Sequence, residues 1–422
     1  MLAAFLEKLK DAAGEIAEAQ RPVRILRAVA WPDHVADDFF ARGARELPRP
    51  IYEPPRFDIA ATAARLREIA GRFAGESDLD RLVRDTCLSY ATAAEMLGTI
   101  GTKRFWELSR ELYGAPLSVS SDGKTTNLAL AQHFDEVIER YAAISLGPEE
   151  AELDADTVAA TLGERFRAFF HAHQVRVEVV DSLGANAVAG GEWVRLKRGA
   201  RFSSRDAAQL EHHEGYVHIA TSLNGRAQPV LRFLRSGSPR TTRTQEGLAV
   251  FGELLSQTMD LERMRRLSDR ILAIKLAEDG ADFLELYRYF LEHGHEPPAA
   301  FDCARRVCRG GLVEGGAPFT KDVCYLDGLV RVSNFLRVAL THGHADFVEV
   351  LFAGKLDLGD IPILAELRRE GALAAPLYLP PWARDLRFLT TYMSYSAFLN
   401  QTDLAATRAH VEELIARAEA AF

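Results

Sequence analysis

The stretch that most constrains this chain is His213-Glu214-Gly215-Tyr216-Val217-His218, followed about thirty residues later by Gln245-Glu246-Gly247-Leu248-Ala249. Two imidazoles and a separate carboxylate form a His, His, Glu ligand set, which holds zinc and leaves one position open for water. Glu214 then stands where a base must take a proton and pass it to a leaving group. In the H-E-x-x-H motif of metalloproteases the Glu after the first His has that duty. The spacing here is one residue longer. In an α-helix, residues four apart lie only about 40° from each other around the axis, whereas residues five apart lie about 140° apart. The segment must therefore widen locally to i→i+5 pairing, a π-bulge, a form that is rare but concentrated at functional sites. Gly215 tolerates such distortion better than most residues. His212 competes as the first ligand, but only His213 is directly followed by Glu214.

The pairing of H-E-x-x-x-H with Q-E-G-L-A resembles the bacterial QEGLA-motif family, a domain-of-unknown-function group long labelled as modulators of flavohaemoglobin expression. That family is related to the microtubule-associated tyrosine carboxypeptidases of animals. A third stretch shares the resemblance, Gly315-Gly316-Ala317-Pro318-Phe319-Thr320-Lys321-Asp322, with Tyr325 and Gly328 after it. The resemblance spans roughly residues 30 to 400. It implies a zinc metallopeptidase of the gluzincin kind, with His213, His218 and Glu246 as ligands and Glu214 as acid/base. It also implies cleavage near a C-terminus, since the animal members remove the terminal tyrosine of α-tubulin.

The chain's 422 residues, 48% hydrophobic and 26% charged, fit a water-exposed globular protein. No run of about 18 apolar residues is present, so no membrane span is expected. The first twenty residues carry acids and lysines at helical spacing rather than an apolar signal core. Cys87, Cys303, Cys308 and Cys324 make no disulfide framework and no zinc knuckle, which points to reduced thiols and a cytoplasmic setting. A net charge of −9 argues against general nucleic-acid binding. The segment from Arg195 to Arg243 departs from that balance, with ten Lys/Arg against three acids. A basic rim of this kind attracts an anionic substrate such as a peptide's terminal carboxylate, although most of these cations fit an ordinary solvated face.

Helical periodicity dominates the chain. Helices are expected over 1–20, 34–45, from Asp58 to about Phe73, over 79–112 with a break near Gly98 and Gly101, and over 124–143. A composition shift at Leu146-Gly147-Pro148-Glu149-Glu150 marks a boundary, giving an N-terminal helical region (1–150) and a catalytic region (151–422). After a helix over 156–173, the alternation at Val175 to Val180 and at Glu192 to Arg198 reads as two strands, with turns at Gly184 and Gly190-Gly191 and a short 187–189 segment between. On the second strand, Trp193, Arg195 and Lys197 share one face. Ser203 or Ser204 caps the motif helix, Ser203 with Asp206 resembling a capping pair, Asn224-Gly225 stops it, and Glu246 lies in the first turn of the next helix, which runs to about Met259. A series of helices completes the chain. The fold class is thus mainly α (α+β), gluzincin-like, with a small sheet beside the motif helix.

Three further groups fit the chemistry. Tyr325 suits an oxyanion donor, and Lys321, with Arg240 or Arg243, suits the terminal carboxylate of a substrate. His293-Gly294-His295 and His342-Gly343-His344 fall at helix ends and read as C-terminal caps. The chain is read as a Zn2+-dependent metallopeptidase, a carboxypeptidase acting on a peptide or protein C-terminus, with no nucleic acid or membrane partner. A non-catalytic, metal-binding regulatory protein is the alternative. A carboxylate free beside a ligand favours the enzyme, because a structural zinc site needs no base.

Overall fold

A computed structural model describes residues 2–120, 122–141, 144, 151–181, 183, 185–401 and 404–419. The fold is mainly helical with a small sheet. The turn expected at Gly184 lies outside the described residues, as do residues 146–150 of the composition shift.

The longer N-terminal helices are Leu2–Ala19, Ile59–Gly71, Asp78–Leu97, Lys103–Tyr113 and Asn127–Glu139, with the shorter Ile25–Ala28 and His34–Ala41 after the first. Their starts follow capping chemistry: Asp58 accepts from the Ala61 N–H and Ser77 from the Asp80 N–H. The expected break falls between Leu97 and Lys103, where Gly101 adopts a φ of +78°. Apolar residues of these helices, including Leu9, Ile16, Leu66 and Leu82, share one core with Val217, Leu248 and Phe251 of the two motif segments and with Leu336 and Phe352 beyond. The N-terminal helices therefore back the elements that carry the motifs.

The sheet has three strands with Trp193–Lys197 in the centre, parallel to Arg176–Val180 and antiparallel to Ala187–Ala189. Val194 and Leu196 are buried, and Trp193, Arg195 and Lys197 occupy the other, half-buried face, as alternation predicts. A second, two-residue pairing joins Leu153–Asp154 to Arg201–Phe202.

The motif helix begins with the expected Ser203/Asp206 capping box. It is α-helical over Ser204–Leu210, widens to a π-helix over Glu211–Ile219, and returns to α-helix over Ala220–Arg226. Asn224 and Gly225 lie inside its last turn rather than past it. The Asn224 side chain is occupied as a tether, donating to the Phe352 and Tyr378 carbonyls and accepting from the Tyr378 N–H. Gly215 is needed for a reason the spacing did not disclose. A Cβ there would stand 2.3 Å from the Phe166 ring, so the widened turn sits directly on helix Ala155–Phe169.

The basic 226–243 segment folds into two short 3-10 turns, Arg232–Arg235 and Pro239–Thr241. The next helix spans Thr242–Leu255, so Glu246 lies in its second turn rather than its first. This helix crosses Val323–Thr341 at a glycine pair: a Cβ on Gly247 would meet the Gly328 carbonyl at 2.2 Å, and one on Gly328 would meet the Arg243 carbonyl oxygen at 2.2 Å. Backbone contact this close sets Glu246 against the start of the 323–341 helix. All four cysteines are free. Both His-Gly-His runs close helices, His293 Nδ1 lying 2.7 Å from the Tyr289 carbonyl and His342 Nδ1 2.9 Å from that of Val338. No helix among the described residues is long and apolar enough to cross a membrane.

Candidate metal centre

The π-helix brings His213 and His218 onto one face, with ring centroids 4.9 Å apart. Glu246 Oε2 lies 3.7 Å from His213 Nε2 and 3.5 Å from His218 Nε2. The three donor atoms fall within 4.8 Å of one another, the single such cluster of His, Cys, Asp or Glu found among the described residues. His212 is not part of it and packs edge-on against Tyr216 at 5.1 Å.

Two of the three donors have support behind them, whereas Nδ1 of His218 is buried with no hydrogen-bond partner among the described residues. His213 Nδ1 donates to Glu253 Oε1 at 2.6 Å, which turns Nε2 toward Glu246. Carboxylate anchoring of this kind fixes the tautomer of metal-binding histidines. Glu253 is fully buried. It also accepts from Arg263 through Nε and Nη2, both at 2.9 Å, and from Gln209 Nε2 at 2.9 Å. Lys321 Nζ donates to Glu246 Oε1 at 2.8 Å, leaving Oε2 facing the imidazoles. Burial would raise the Glu246 carboxyl, but Lys321 and the two histidines outweigh it and hold it well below the carboxylate range. Burial likewise lowers His213, yet Glu246 and Glu253 prevail and push it up to about 10. A set of two imidazoles and a carboxylate, one imidazole already oriented, matches what a zinc ion requires.

The cluster opens on a cavity of about 1020 Å³. Glu214, Lys321 and Tyr325 line it beside the donors, and the edge strand contributes Ala187, Val188 and Ala189. Arg24, Arg27, Arg195, Arg305, Arg306 and Arg309 line it as well. Of the ten cations between 195 and 243, only Arg195 is among them, so the positive lining comes mainly from distant parts of the chain. Arg240 pairs with both oxygens of Asp360 at 2.8 Å. Arg243 Nε lies 2.6 Å from Asp327, and its Nη2 donates to the Tyr113 carbonyl. Neither arginine lines the cavity, so the fold does not bring them to the cluster. Lys321 does reach it, as the partner of a donor carboxylate. Tyr325 sits in the lining with Lys321 5.1 Å from its ring centroid.

Glu253 and its Arg263 partner had escaped the sequence reading. A usable signal exists: Glu253 follows Glu246 by about two helical turns and so shares its face, in an otherwise apolar stretch. The arginines of the lining carry no comparable local signal.

Residues 37–401 match the family described as microtubule-associated tyrosine carboxypeptidase. A search of the curated proteins finds no match. Among solved structures, the chain is similar to a protein assigned as a lipoprotein from Colwellia psychrerythraea, at 11% identity and a TM-score of 0.44, over 80% of this chain and 73% of that one.

Proposed function

The chain belongs to the microtubule-associated tyrosine carboxypeptidase family, and on that premise we propose that it is a zinc-dependent carboxypeptidase of gluzincin type, acting on acidic C-terminal ends of peptides or proteins. The observation that carries this reading is the convergence of His213, His218 and Glu246 in a cavity that Glu214 also lines. Zinc, when bound there, would supply Lewis acidity toward a peptide carbonyl.

The remaining chemistry falls to the chain's own side chains. Glu253 keeps His213 in the ligating tautomer, and Lys321 keeps Glu246 ionised and aimed. Glu214 takes a proton from the attacking water and returns it to the departing amine. The Tyr325 hydroxyl donates to the oxygen that gains charge as the carbonyl is attacked. The arginines of the cavity attract an acidic chain end, and the exposed edge of Ala187–Ala189 offers main-chain pairing to an extended peptide. A terminal tyrosine is the residue implied by the family's name. A purely structural metal site would leave Glu214 without a task.

The test joins two measurements on the purified chain. Elemental mass spectrometry is expected to give about one zinc per chain, lost in Glu246→Ala. Mass spectrometry of a digested library of glutamate-rich peptides is expected to show loss of the C-terminal residue, abolished by a chelator. Metal content indifferent to Glu246, or products cut only in mid-chain, would overturn the reading.

A further inference from the structure

A second, smaller cavity of about 210 Å³ adjoins the first. His213, Glu214 and Tyr325 line both, so the two meet at the proposed acid/base. The rest of the smaller lining is Gln209, Leu210, Arg263, Arg266 and Arg270, with no carboxylate besides Glu214.

These three arginines are not equivalent. Arg263 is committed to Glu253 through two hydrogen bonds of 2.9 Å. Arg270 is stacked over the Tyr325 ring, 4.6 Å from its centroid. Its carboxylate neighbour, Asp322, is 3.8 Å away and already accepts from Arg306 at 2.7 and 2.9 Å. Among the described residues, Nη1 of Arg270 and Nε of Arg266 have no hydrogen-bond partner. Arg266 has Glu262 as a carboxylate neighbour, 3.8 Å away. Burial and the nearby Arg306 charge pull the Arg270 guanidinium below its usual range, the mark of a cation short of counter-charge. A guanidinium with donors to spare matches a carboxylate in shape and charge, and a buried cation is costly until an anion satisfies it.

We propose that this smaller cavity receives the substrate's last residue, with Arg270, assisted by Arg266, holding its α-carboxylate. The inference rests on the peptidase reading above and deepens it. With the carboxylate held beside Arg270 and Glu214 at the junction, the bond presented for attack is the last peptide bond. Its C–N bond breaks as the water oxygen joins the carbonyl carbon. The water's proton passes through Glu214 to the amine of the released residue. Leu210 and the Tyr325 ring give that residue apolar contact, which favours an aromatic or aliphatic side chain.

The experiment compares binding of one glutamate-rich, tyrosine-ending peptide with its C-terminal amide, using full-length Glu214→Gln protein so that nothing is consumed. The free acid is expected to bind about 10- to 100-fold more tightly than the amide, in line with a charge-assisted, bidentate contact. Adding Arg270→Gln should bring that ratio to about one while leaving amide binding unchanged, and Arg270→Lys should restore part of it. Arg266→Gln should reduce the ratio less. A ratio near one before Arg270 is changed, or a ratio that survives Arg270→Gln, overturns the proposal. If Arg270→Gln fails to fold, Arg270→Lys and Arg266→Gln decide, since an undiminished ratio in both is equally fatal. Hydrolysis by the wild-type chain is scored separately. Cleavage with no acid-over-amide preference would sink the carboxylate site and spare the peptidase. A preserved preference with no cleavage of any peptide would do the reverse.

Discussion

Two parts of the same cavity lining are built on opposite terms. Around the three donors nearly every charge is answered: Glu246 by Lys321, His213 by Glu253, and Glu253 by Arg263 and Gln209. Among the arginines the balance is uneven: Arg195, Arg305 and Arg306 pair with Glu178, Asp302 and Asp322, but others are left open. Arg309 stacks on Phe319 at 5.8 Å with its Nε unpartnered among the described residues, and burial together with Arg306 pulls it down to about 10. Arg24 is also lowered, by burial first. The first part is organised before anything arrives, as the proposed metal site would require. The second keeps unspent positive charge for what arrives, because attraction of an anion requires that the charge not be cancelled in advance.

The contrast can be broken most severely at Glu214. Glu214→Gln keeps the shape of the site and removes its base, so kcat should fall about 10²- to 10⁴-fold while zinc content stays at the wild-type level. Equal turnover by the two proteins would remove Glu214 from the chemistry. Glu253→Gln probes the support behind the donors. It should weaken zinc retention about 10- to 100-fold in a chelator competition, and unaltered retention would mean that His213 is held by other means. Gly247→Ala attacks the scaffold instead. Its new methyl would press on Gly328 backbone rather than on a yielding side chain, so a loss of about 1–3 kcal/mol is expected in denaturant unfolding. An unchanged midpoint would show that the helix crossing has slack. Arg309→Gln samples the open part of the lining and should act least, raising KM by about 1 kcal/mol of lost attraction with kcat preserved. Added salt should shrink that difference, and a kcat effect in its place would mean that the arginines belong to the organised part.

The same contrast explains what the sequence disclosed. The organised part depends on spacing along single helices, and spacing is visible in a string of letters. The five-residue step from His213 to His218 demanded the π-helix that spans Glu211–Ile219. The Ser203/Asp206 cap and the alternation at Trp193 to Lys197 were equally local. Glu253 was overlooked although its spacing from Glu246 was available, because a lone Glu in a helix is usually solvated. The cationic lining was foreseen in sign but not in membership. Arg240 and Arg243 are near the motifs in sequence, yet they are claimed by Asp360 and Asp327. Arg24 and Arg309 are far away in sequence, Arg270 lies a whole helix past Glu246, and all three reach the cavities through helix packing. Glycines 247 and 328 stood in recognisable motifs, but nothing short of three dimensions shows them touching.

The widened stretch over Glu211–Ile219 also bears on how the longer motif fits into its helix. A π-turn holds one residue more than the α-turn it replaces, so the α-helical stretches on either side, Ser204–Leu210 and Ala220–Arg226, keep the phase of an uninterrupted helix. Remove one residue between the two histidines on paper and what remains is H-E-x-x-H in an ordinary helix. The widened stretch thus accommodates the one additional residue between the two histidines, with Phe166 occupying the space that the residue at 215 leaves bare.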